Sequence, residues 1–186
     1  MKKVMIVDDN FLAAEGIEKN IDWQSLDAGV SIIQYNSRSA LDAMKESPVD
    51  LIISDIEMPD LDGISMCKLA LNINPSVKII LVSAYDKFEY AKRAIRLGAY
   101  DYIEKPLDYC YLTEKIQNAF AQLDRTRKNQ QLLKASRPLM IDKFFSDLLH
   151  YPGENPELRL GSFLQYLDLE TEFNNFIVLV LETEYT

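Results

Sequence analysis

Val4-Met5-Ile6-Val7-Asp8-Asp9 decides the reading of this chain: a continuous apolar run that stops at two carboxylates. Leu51-Ile52-Ile53 and Ile79-Ile80-Leu81-Val82 have the same build, nearly continuous and β-branched. Strands covered on both faces of a parallel sheet look like this, because neither face meets water. Val30-Ser31-Ile32-Ile33 and Ala99-Tyr100-Asp101-Tyr102-Ile103 bring the runs to five. Between them lie segments of helical period, Phe11–Asn20, Ser39–Glu46, Gly63–Asn72, Lys87–Leu97 and one that starts near Asp108. Asn10 and Ser37 are predicted N-caps, and Gly98 a C-terminal cap. Five strands alternating with five helices predict an α/β fold, a doubly wound parallel sheet. In the flavodoxin-like order 2-1-3-4-5, strands one and three are neighbours at the switch point.

The chain has 186 residues, 48% of them hydrophobic, enough for one core and part of a second. Its longest apolar run, Phe176 to Leu181, is far too short to span a bilayer, and Met1–Val7 lacks the features of a signal peptide. Cys67 and Cys110 form no disulfide framework, and both are read as small apolar fillers; a cytoplasmic location fits. The net charge of −9 argues against a nucleic-acid-binding surface within these residues. Arg125, Arg127 and Lys128 are read as a solvated helix face.

The fifth helix reads on without proline or glycine from Tyr109 to Ala135. Leu112, Ile116, Ala119 and Leu123 continue a 3-4 spacing, which polar Thr126 and Gln130 then interrupt before Leu133. Two readings stand: a coiled-coil signalling helix, or an amphipathic helix that packs on the sheet and then frays. Pro138 is expected to end it. Beyond lie an amphipathic stretch Leu139–His150, a loop at Tyr151–Pro156, a helix over Leu158–Leu167 and a buried strand over Asn175–Glu182. A lone strand cannot pair with itself. The expected organisation is a first domain over 1–123, a helical linker over 124–137 and, over 138–186, the start of an α+β domain that continues past Thr186.

The carboxylates gain meaning from their places on the strands. Asp8 and Asp9 end the first strand, Asp55 the third. Open parallel sheets bind ligands outside the carboxyl ends of their strands, where strand order reverses. Three carboxylates in one crevice repel and raise each other's pKa, and a hard divalent cation removes the conflict. Magnesium, which takes few carboxylates and keeps its waters, suits the set better than zinc. Ser83 ends the fourth strand and Lys105 follows the fifth. A carboxylate nucleophile, a metal, a hydroxyl and an ammonium make a phosphoryl-transfer set, with Asp55 as the attacking group. Taken singly, each has an ordinary explanation: Asp8 and Asp9 as loop acids, Ser83 as a cap, Lys105 as a surface cation.

Asp8-Asp9, Asp55-Ile56-Glu57-Met58-Pro59-Asp60-Leu61-Asp62-Gly63, Ser83-Ala84 and Tyr102-Ile103-Glu104-Lys105-Pro106 together resemble the receiver domain of two-component response regulators, over about residues 1–123. The resemblance implies that Asp55 is the phosphoacceptor for a sensor histidine kinase. It implies magnesium on Asp9, Asp55 and the Glu57 backbone carbonyl, with Asp8 acting mainly through bound water. Ser83 and Lys105 are implied to contact the phosphoryl group, Tyr102 to turn inward when Ser83 moves, and the Lys105-Pro106 bond to be cis. A homodimer through the fourth-helix and fifth-helix face, or through the linker helix, is a further implication.

Ile21-Asp22-Trp23, the long helix and Asn175–Glu182 resemble response regulators of AraC type, which control transcription. DNA binding is then expected only through a region beyond this chain, and no membrane is involved. Phosphate would be accepted and self-hydrolysed without the turnover of an enzyme. Two rivals remain open at this point. A haloacid-dehalogenase-type phosphatase favours a second Asp where Glu57 stands, and an interaction module independent of phosphorylation has no need of the filled acidic, hydroxyl and lysine positions. His150, the sole histidine, and Trp23 are read as structural. The tyrosines 85, 90, 102, 109 and 111 are read as an aromatic patch, either interface or core.

Overall fold

In a computed structural model, residues 1–59, 61–84 and 88–150 are described, with backbone alone at 88–91, 137, 145 and 147–150. The elements run β1 (Lys2–Val7), α1 (Phe11–Asn20), β2 (Ala28–Gln34), α2 (Ser37–Glu46), β3 (Leu51–Asp55), α3 (Gly63–Ile73), β4 (Lys78–Ser83), α4 (Phe88–Arg96), β5 (Asp101–Glu104) and α5 (Tyr109–His150). The five strands form one parallel sheet in the order β2-β1-β3-β4-β5. This is the flavodoxin-like, doubly wound arrangement expected from the alternating runs.

The central strands are apolar on both faces because helices cover both. Met5, Val7, Ile52, Ile79 and Leu81 face a core closed by α2, α3 and Ala94 of α4. Val4, Ile6, Leu51, Ile53, Ile80 and Val82 face another, closed by α1 and by Leu112, Ile116, Ala119 and Phe120 of α5. The sheet's pleat sends alternate side chains to opposite cores. At the edge, β1 and β2 slip register between Val4 and Met5, so that Ser31 has no partner in the ladder, and its hydroxyl donates to the Val4 carbonyl at 3.2 Å.

Several local expectations change. Asn36, not Ser37, caps α2: its side-chain oxygen accepts from the Ser39 amide at 2.8 Å. Ser37 is thereby the first helical residue, and its buried hydroxyl donates to the Leu61 carbonyl at 2.8 Å. Asn10 does cap α1. Gly98 ends α4 with φ +97, and the Gly98→Ile95 and Ala99→Ala94 bonds close a Schellman turn. β2 begins two residues earlier than the apolar run, and β5 starts at Asp101 rather than Ala99.

Pro138 does not end the fifth helix, which continues through it to His150. Proline removes one donor and crowds the carbonyl four residues back. Here that carbonyl belongs to Lys134, on an exposed stretch of helix. Strong helix formers on both sides carry the helix past the proline. Arg127 is not simply solvated; its guanidinium pairs with Asp50 at the start of β3. The chain divides into two compact units between Arg127 and Lys128. The loop, helix and strand expected beyond His150, and the side chains of His150, Tyr85 and Tyr90, lie outside the described residues. Among the described residues no helix is long and apolar enough to cross a membrane.

Candidate functional site

Four strands deliver the site. β1 ends at Val7, and the Asp8 amide donates to the Gln34 carbonyl at 3.1 Å, which holds the turn that follows. Asp55 is the last residue of β3 and Ser83 the last of β4. Ser83 stands opposite Glu104 of β5, and its carbonyl accepts from the Lys105 amide at 2.7 Å. All these strands run parallel, so their carboxyl ends open on one edge.

There Lys105 joins two carboxylates. Its ammonium lies 2.9 Å from Asp55 Oδ2 and 3.1 Å from Asp8 Oδ2. The second Asp8 oxygen accepts the Asn10 amide at 2.9 Å. Asp8, Asp9 and Asp55 each offer a carboxylate oxygen, and these lie within 4.8 Å of one another. Asp8 and Asp55 are buried while Asp9 is exposed, so the cluster opens to solvent on one side.

The electrostatics are unbalanced: three carboxylates face one ammonium. Burial raises the Asp8 pKa above the ordinary carboxylate value; the Asn10 amide and Lys105 pull it down, and Asp55 adds to the rise. For Lys105, burial is the largest single influence and lowers the pKa. The hydrogen bonds and attraction of Asp55 and Asp8 outweigh it, and the net shift is upward. Lys105 therefore stays charged, and negative charge still exceeds positive. A hard divalent cation answers that excess, and the all-oxygen donor set fits magnesium.

The loop after β3 is fixed from two sides. Gly63 packs so tightly that an added Cβ would lie 2.1 Å from the Asp55 carbonyl oxygen, and its amide donates to the Ile56 carbonyl at 2.9 Å. Ser37 holds the same loop at Leu61. Glu57, whose amide lies 3.4 Å from Asp55 Oδ1, thus stands on a braced segment. Sequence reasoning missed Ser37 in this role because an Asn-Ser pair before a helix offers two possible caps, and only the register of α2 chooses between them.

Ser83 is fully buried at its strand end. Tyr102 is half-buried on β5, and the Lys105–Pro106 peptide is cis. Tyr102 and Tyr111 border one hollow with Pro106. Tyr109 does not join them; its ring packs on the opposite core, with its hydroxyl against Gly16 of α1. Trp23 is half-buried and donates to the Glu18 carbonyl at 2.9 Å.

Residues 4–117, more than half of the 186, match the family described as the response regulator receiver domain. The chain is 30% identical over 125 residues to the uncharacterized transcriptional regulatory protein YesN of Bacillus subtilis, covering 67% of this chain and 34% of YesN. It is similar in structure to the receiver domain of AraT, a response regulator from Geobacillus stearothermophilus, with TM-score 0.64 and 33% identity over 68% of this chain and 98% of that one. It is also similar to a two-component transcriptional regulator AraC from Clostridium phytofermentans, with TM-score 0.60 and 27% identity over 70% of this chain and 99% of that one. The chain spans about a third of the length of the curated relatives it matches. From the fold, the acidic edge and these likenesses together, the chain belongs to the response regulator receiver family of two-component systems.

Proposed function

We propose that Asp55 is the phosphoacceptor of this receiver domain. The observation that carries the reading is the Lys105 ammonium set between Asp55 and Asp8, with Asp9 completing an acidic cluster at the carboxyl edge of the sheet. An oxygen of the Asp55 carboxylate attacks the phosphorus carried by a sensor kinase histidine. The new O–P bond forms as the P–N bond to imidazole breaks, leaving an aspartyl phosphate and a free histidine. Lys105, already within reach of Asp55, neutralises a phosphoryl oxygen, and the Ser83 hydroxyl hydrogen-bonds another. Asp9, Asp55 and the Glu57 backbone carbonyl would hold magnesium, with Asp8 acting through water. The ion supplies positive charge where the transferred group gathers negative charge.

Phosphorylation then biases a pre-existing equilibrium in which Ser83 and Tyr102 move inward and the face of α4, β5 and α5 favours a homodimer. The exposed Tyr111 and half-buried Tyr102 on that face support the reading. The long α5 is the second candidate for dimer contact. Residues 1–123 would act as the receiver, 124–137 as linker and 138–186 as the start of a middle region. The chain would be a cytoplasmic phosphoacceptor rather than a turnover enzyme. It would belong to a transcriptional regulator of AraC type, as the likeness to the Clostridium phytofermentans protein supports, with DNA bound only by a region beyond this chain.

The test is incorporation of acid-labile phosphate from acetyl phosphate with magnesium. The wild-type chain incorporates it, and Asp55→Asn does not. Equal labelling of the variant overturns the assignment.

A further inference from the structure

On the flank of the sheet where α3 and α4 lie side by side, an open groove of about 940 Å³ runs between the two helices. Among the described residues its lining holds Lys68, Lys92, Arg93 and Arg96 together with Leu69 and Leu97, and no carboxylate. That is a local concentration of four cations on a chain whose net charge is −9. Lys68, Arg93 and Arg96 are exposed and form no ion pair among the described residues. Asp62, the carboxylate that precedes α3, accepts the Ser65 amide at 2.7 Å and the Ser65 hydroxyl at 2.9 Å; on α4, Glu89 precedes Arg93 by four residues, and its side chain lies outside the described residues. Leu69 is 42% exposed, a large apolar side chain in the same lining as these cations.

We propose that this groove is a docking site for an acidic, leucine-bearing helical segment of a partner protein. Three features select that occupant. Two guanidinium groups at i and i+3 on α4 present rigid forks suited to carboxylates. The apolar floor of Leu69 and Leu97 fits the aliphatic stripe of an amphipathic helix laid along a groove. The partner's acids then meet cations on both walls, Lys68 on α3 and Arg93 and Arg96 on α4, which fixes register and steers encounter. A nucleic acid fits less well, because a long polyanion is repelled by the rest of a strongly acidic chain. A small phosphate ligand fits less well too, since the cations stand on an open surface with no buried donor among them. The groove's described lining shares no residue with the Asp55 site.

The test uses the full chain and a fluorescein-labelled helical peptide of about 18 residues with leucines on one face and glutamates flanking them. Fluorescence anisotropy is expected to show saturable binding that weakens about tenfold when salt rises from about 0.05 M to about 0.3 M. The paired variant Arg93→Gln/Arg96→Gln should weaken it at least tenfold, and Leu69→Gln should weaken it as well, with circular dichroism unchanged in both. A peptide with glutamine in place of leucine should bind at least tenfold more weakly. Binding that survives the arginine substitutions, or equal binding of the lysine counterpart of the peptide, overturns the proposal. So does tighter binding of a duplex DNA of similar length that the same substitutions abolish. None of these outcomes bears on Asp55, whose phosphate incorporation is measured separately.

Discussion

Cys67 and Cys110 carry the same side chain into opposite surroundings. Both read as apolar fillers in the sequence, but only Cys67 is one: it is wholly buried in α3, whereas Cys110 is exposed in the first turn of α5. The stripe of α5 that faces the sheet starts at Leu112, two positions further on, so Cys110 turns outward. Burial pushes the Cys67 thiol up to about 11 from 9.0. The linkage has a definite sign. The folded chain keeps this proton where the unfolded chain has already lost it. The associated stability is therefore fully present below about pH 9 and is lost as pH rises toward 11. Urea unfolding at pH 8 and pH 11, compared between the wild type and Cys67→Ala, should show an extra loss of roughly 2 kcal/mol in the wild type. An equal pH-dependent loss in both proteins would count against the burial argument. The acids and Lys105 of the site were legible at this scale because each stands at the end of a strand or within two residues beyond it. Ser37 and Cys110 were not, because a cap and an outward turn depend on helix register to within one residue.

Whole elements were the most legible part of the chain, and the reason is visible in the sheet. β1, β3 and β4 are buried on both faces, so their runs are unbroken and their ends abrupt. β2 and β5 lie at the edges, where partial exposure blurs the pattern, and there the predicted boundaries slipped. α5 shows the limit of local rules. Its first four turns obey the core, with Leu112, Ile116, Ala119 and Leu123 at most 1% exposed. Beyond them Leu132, Leu133 and Leu139 are largely exposed, and the helix passes Pro138 unbroken. Restoring the missing donor by Pro138→Ala should stabilise this segment by up to about 3 kcal/mol. Hydrogen exchange is the suitable measurement, with slower exchange expected for amides between Lys134 and Asp142. Unchanged exchange there would mean that the proline is not what limits the helix.

For the molecule as a whole, the question is how much of α5 the receiver unit needs in order to stand alone. The family match stops at residue 117, but the compact unit runs to Arg127. The ten residues between do structural work. Ala119 and Phe120 are buried in the core under β1 and β3, and Leu123 is buried as well. Asp124 pairs with Lys2 at 3.1 Å, that lysine also lies over the Phe120 ring, and Arg127 reaches Asp50. The two ion pairs are partly exposed and matter little, each about 0–1 kcal/mol. The buried side chains matter more. Removing a buried phenylalanine costs about 3–5 kcal/mol and a buried leucine about 2–5. Together these rival the whole stability of a typical domain, about 5–15 kcal/mol. A chain ending at Arg127 should therefore unfold in a single cooperative urea transition and match the 186-residue chain in the proposed incorporation of phosphate at Asp55. A chain ending at residue 117 should lose at least half of that stability, with a midpoint shifted far toward zero urea or no transition at all. Equal midpoints for the two truncations would show that the end of the receiver lies at the limit of the family match and that the buried turns of α5 add nothing to it.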